Sequence, residues 1–116
     1  MSQTRRIKGE IIFPIDAGAG VASQITVELR DVSMQDAVST VVASKTIDRV
    51  KIGPNLRMPF ELSAPASAKN RSLSMRVQVS MNANSQSATG DFLSTVATPV
   101  ATDGDVHSIS VPVSKL

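Results

Sequence analysis

Leu73-Ser74-Met75-Arg76-Val77-Gln78-Val79-Ser80-Met81 alternates apolar and polar side chains without a break. A strand turns successive side chains to opposite faces, so Leu73, Met75, Val77, Val79 and Met81 share one face and the polar residues share the other. On a helix the same pattern would scatter the apolar residues around the whole circumference. The segment is therefore a strand with one face in a core. Its two methionines read as core filler.

The rest of the chain repeats this signal at shorter length. Ile7, Gly9, Ile11 and Phe13 share a face in a first run that stops at Pro14, before the turn Asp16-Ala17-Gly18-Ala19-Gly20. Ile25, Val27 and Leu29 alternate with Gln24, Thr26, Glu28 and Arg30, and Asp31-Val32-Ser33 forms the next turn. Ser33 with Asp36 makes only a short match to a helix cap, and no real helix is expected there. A third run goes from Val41 to Ile52 and breaks at Gly53-Pro54-Asn55. Phe60 and Leu62 mark a short fourth strand after Pro59, with a loop from Ala64 to Asn70. After Met81, Asn82 to Gly90 reads as a polar hairpin connection.

The sixth strand buries Phe92, Ser94 and Val96, or else the opposite set Leu93, Thr95 and Ala97. Pro99 ends it. Asp103-Gly104-Asp105 turns into a last strand, Val106 to Val113, with Ile109, Val111 and Val113 inward. About seven short strands separated by turns predict an all-β chain, an antiparallel β-sandwich in one domain over 1–116 with its core at about 6–113. A small closed barrel is the competing architecture. The expected core is Ile11, Phe13, Ile25, Val27, Leu29, Phe60, Leu62, Leu73, Met75, Val77, Val79, Val96, Ile109 and Val111.

Composition narrows the chemistry. The chain has 116 residues, no Cys, no Trp, no Tyr, one His and a net charge of +2. Without Cys there are no disulfides, thiol nucleophiles or thiolate metal sites. The weak positive balance and three Phe supply neither the basic stripe nor the stacking platforms of a nucleic-acid binder. His107, preceded by Asp103 and Asp105, has the makings of an oriented general base. An ordinary exposed histidine is the stronger reading. No Gly-x-Ser-x-Gly elbow frames any serine. Asp31 and Asp36 do not match a Ca²⁺ loop, and Asp31 at a strand end is better read as closing an Asx turn. Gly18-Ala19-Gly20 is too short for a phosphate cradle. No catalytic, cofactor-binding or metal-ligating residue is assigned, and no cofactor is expected.

Several stretches together carry a resemblance. They are Gly9-Glu10-Ile11-Ile12-Phe13-Pro14, then Val27-Glu28-Leu29-Arg30-Asp31-Val32-Ser33-Met34-Gln35-Asp36-Ala37, Pro59-Phe60-Glu61-Leu62, Met75-Arg76-Val77-Gln78-Val79 and Thr98-Pro99-Val100-Ala101-Thr102. In this order they resemble the YscW/YbaY-like family from about Arg6 to Val113. That family includes type III secretion pilotin lipoproteins and small lipoproteins of unassigned function. The resemblance implies a compact β-sandwich without enzymatic activity. Its best-understood members bind the outer-membrane secretin and help it reach and assemble in that membrane.

The expected function is thus a non-catalytic protein-binding or assembly module of the pilotin kind. A carbohydrate- or envelope-polymer-associated sandwich is the alternative, although sugar stacking commonly uses the Trp and Tyr absent here. The expected partner is a protein or peptide segment, met at a sheet edge or in an apolar cleft, with no nucleic acid and no direct membrane insertion. The strands bounded by Pro14 and Pro59 are the expected edges. Oligomeric state is open. As written, without a signal peptide or an acylatable Cys, the chain reads as cytoplasmic. A trimmed leader would make it a periplasmic or outer-membrane lipoprotein.

Overall fold

The computed structural model describes residues 4–34, 39–81 and 91–116, and every regular element among them is a strand. The continuation of the Ser33 cap into Gln35–Val38 and the Asn82–Gly90 connection lie outside the described residues.

Two sheets enclose the core. In the first, β1 (Thr4–Ile12) is central, with β4 (Arg57–Pro65) antiparallel on one side and β8 (Val106–Pro112) parallel on the other. The second runs β3 (Thr40–Ile52), β2 (Gly20–Asp31), β5 (Leu73–Ser80), β6 (Phe92–Leu93), β9 (Ser114–Lys115). A short β7 (Pro99–Val100) also pairs with β5. The sandwich is the architecture that the period-two pattern predicts, with nine strands among the described residues rather than about seven. Among the described residues, the β1–β8 pair is the one parallel pairing.

The alternation places the core as expected along the longest strands. Ile25, Val27 and Leu29 of β2 face Val79, Val77 and Met75 of β5 across the ladder, and all six are buried. Ile7 and Ile11 of β1 cover them from the other sheet, and Phe13 meets Phe92 edge-on at 5.4 Å between ring centroids. Ile109 is half-buried against this cluster.

Three expectations need correction. β1 is not an edge: Pro14 lies two residues past its end, so the missing N–H interrupts no ladder bond. β4 is an edge, but it is longer than expected and contains Pro59 and Pro65 rather than starting after the first. Val96 is 64% exposed, not buried. The cause is local hydrogen bonding on the rim of β5. The Val77 N–H donates to Ser94 Oγ and the Val77 carbonyl accepts from the Ser94 N–H. The chain then leaves the strand and returns at Thr98, whose carbonyl accepts from the Met75 N–H. Alternation fails here because a serine side chain replaces the next ladder step.

The turn after β2 is built as its residues suggest. Asp31 Oδ1 accepts from the Ser33 N–H at 3.0 Å and from the Ser33 hydroxyl at 2.5 Å. Ser33 Oγ accepts in turn from the Ser72 N–H, and the Val32 N–H donates to the Ser72 carbonyl. This chain of bonds ties the end of β2 to the entry of β5.

The Ser33 hydroxyl, then its N–H, and more weakly Arg71 hold the Asp31 carboxyl below the ordinary aspartate range, against the opposing effect of burial. A pKa lowered by folding contributes stability above the unfolded value of about 4, and that stability is lost as pH falls through the folded value. Asp31→Asn is therefore expected to unfold at lower urea than the parent at pH 7, with the gap narrowing once the pH drops below about 4. A gap of constant size across that range would show that the charge plays no part in the turn.

Arg5 is a buried cation on the inward face of β1. Its Nη1 donates to the Ala101 carbonyl at 2.6 Å and weakly to that of Gly104 at 3.3 Å, so it pins the segment leading into β8. Burial pulls its pKa down while Asp103 and Asp105 pull it up.

Candidate functional site

β3 and β4 follow each other in sequence through residues 53–56, yet they enter different sheets, each as an edge strand. A cleft of about 630 Å³ opens beside them. Its lining draws on Lys45 and Ile47 of β3, Arg57 and Phe60 of β4, Gly9 of β1 and Ile109 of β8.

The register explains how these residues meet. Phe60, Gly9 and Ile109 lie in one cross-strand row on the inner face of the first sheet. Lys45 and Ile47 pair with Val27 and Ile25, both buried, so they stand on the inner face of the second. The apolar row continues to the cleft because Gly9 contributes no side chain.

The edges flanking the cleft are poor templates for another strand. Pro59 and Pro65 are an even number of residues apart, so the donors they lack fall on the same side of β4, the unpaired one. On β3, Val42 is an extra residue between the Leu29–Ala43 and Arg30–Val41 pairs. Further along, Arg49 adopts a left-handed φ of 50°. Both devices interrupt an edge ladder. The cleft is therefore better suited to receive side chains than either edge is to receive a backbone.

The charges around the cleft are unevenly matched. Glu10 pairs with Arg57 at 3.2 Å and Glu61 with Arg6 at 3.4 Å. Lys8 and Lys45 also line it, and neither forms an ion pair with a described residue. Lys45 interrupts the inward series Ala43, Lys45, Ile47, a break visible in the sequence, where nothing marked it as part of a site.

The other residues singled out by chemistry are not assembled into a reactive group. His107 is exposed at the bulge of β8, where Ile7 pairs with Val106 but Gly9 with Ile109, and it lines the cleft without Asp103 or Asp105 beside it in that lining. Asp105 Oδ1 accepts from the Arg6 N–H at 2.9 Å, which commits that carboxylate to the backbone. Asp31 is occupied by its turn. Among the described residues, no three His, Asp or Glu side chains are gathered as metal ligands. No helix among them is long and apolar enough to cross a membrane.

The two-sheet sandwich thus opens a cleft of mixed lining, where Ile47, Phe60 and Ile109 meet charged and polar neighbours. The chain belongs to the family described as type III secretion system lipoprotein chaperone (YscW), whose model matches residues 2–112. Its fold is similar to that of an alternative pilotin from the type II secretion system of Vibrio cholerae. The two share 20% sequence identity at a TM-score of 0.69, over 98% of this chain and 100% of the other. No curated protein matches in sequence.

Proposed function

We propose that this chain is a non-catalytic assembly module of the secretion-system chaperone kind, working at the cell envelope, and that it holds a segment of its partner protein in the cleft between β3 and β4. Family membership supports the class of function, and the pilotin-like fold agrees with it. The observation that carries the site is the meeting of Ile47, Phe60 and Ile109 at an opening between two edges unsuited to strand addition. A binder without Trp or Tyr gains affinity by burying such aliphatic and Phe surface. The partner implied by the family resemblance is a secretin.

Titration of isotope-labelled protein with overlapping secretin segments tests this. The expected result is amide shifts centred on Ile47, Phe60 and Ile109. Ile47→Arg, at a half-exposed position, should weaken binding by roughly tenfold or more with little change in melting temperature. Shifts confined to residues 103–105, or a turnover abolished by His107→Ala, would replace the binding module with a reactive site at the β8 bulge.

A further inference from the structure

Resting on the cleft just described, we infer that the captured segment is acidic as well as apolar, placing a carboxylate against Lys45 beside an apolar side chain on Ile47 and Phe60. Lys45 is exposed, at a position that the register places on the inner face: its neighbour across the ladder is the fully buried Val27, and Ile47 follows on the same face. A bound apolar group would strip water from that ammonium, and a desolvated charge needs an opposite charge to offset the loss. The cleft supplies none. Glu10 and Glu61, the acids lining it, are held by Arg57 and Arg6. The complementary occupant brings its own carboxylate.

A second copy of the chain fits less well. Two-fold antiparallel pairing of β3 with itself sets residues of the same face opposite each other. Registers that keep residues 43–48 paired within β3 then place Lys45 against Ala43, Lys45, Ile47 or Arg49, and never against Asp48. Each leaves the lysine unmatched or repelled.

The test begins with a phage-displayed random peptide library selected on the full chain, followed by synthesis of the enriched peptides. Asp or Glu close to an apolar residue should be enriched. Lys45→Met keeps the length of the side chain and removes its charge. It should weaken the acidic peptides roughly three- to tenfold and remove most of their salt dependence. Lys45→Glu should reverse the preference toward peptides with Lys in place of the acid. Amide shifts separate the two levels of inference. Peptides that shift Ile47 and Phe60 but carry no acid, and that bind Lys45→Met like the parent, would overturn the charge assignment and leave the cleft standing. Shifts elsewhere would overturn both. A concentration-dependent dimer that buries β3 would overturn the inference in favour of self-association.

Discussion

Gly9→Val is expected to yield no soluble folded protein, and Gly9→Ala to melt about 10–20 °C below the parent. A Cβ at this position would overlap the carbonyl oxygen and Cγ2 of Ile109 and come within 3.0 Å of Phe60 Cε2. Phe60 can shift, but the carbonyl is part of the β8 ladder. Overpacking a tight core costs about 1–3 kcal/mol where side chains alone must move, and the upper end or beyond applies when backbone is in the way. Stability for a chain of this length is roughly 6–17 kcal/mol, so the alanine variant keeps a measurable transition. Adding Ile109→Ala should recover little, because it removes Cγ2 and leaves the oxygen. Differential scanning calorimetry of the single and double variants decides the matter. A Gly9→Ala protein that melts like the parent would mean that β1 and β8 are not neighbours at this register.

Val77→Asp should be similarly destructive for a different reason. Val77 is 0% exposed, pairs with Val27 on one side and has its backbone bonded to Ser94 on the other. A carboxylate buried among the apolar side chains of this core would cost several kcal/mol, a large share of the same total. The expected result is loss of the folded protein from the soluble fraction at neutral pH. Val77→Thr keeps the shape and buries one hydroxyl, and should fold with a lower urea midpoint, by about 1–3 kcal/mol in stability. If the aspartate variant unfolded at the parent's urea concentration, the assigned face of β5 would be wrong.

The parts of this fold legible in the sequence are those decided by a strand's own two faces. β5 and β2 show their buried sides through alternation alone, and Asp31 shows its turn through the residues within two positions of it. What is not legible depends on neighbours distant in sequence. Nothing near Pro14 reveals that β1 accepts a parallel partner from the far end of the chain, so the proline reads as the mark of an edge. Val96 satisfies the period-two pattern, but one hydroxyl, that of Ser94, takes over a ladder bond and sends the segment outward. The cleft is harder still. Lys45 reads as an ordinary charge on a strand until the register sets it opposite Val27. Gly9 reads as a weak strand residue until Ile109 and Phe60 close on it.

The parallel pairing of β1 with β8 has a mechanical consequence. The first and last long strands of the chain lie side by side and point the same way. A pull on the two ends would therefore drag β1 and β8 past each other along their length instead of peeling them apart. In that geometry the inter-strand hydrogen bonds are loaded together and must yield together, whereas a peeled hairpin gives way one bond at a time. The Val113 N–H bond to the Ile12 carbonyl and the short β6–β9 ladder lie on the same line of force. The fold is thus suited to remain intact while held by one end and loaded at the other, with resistance governed by its unfolding barrier rather than by its equilibrium stability.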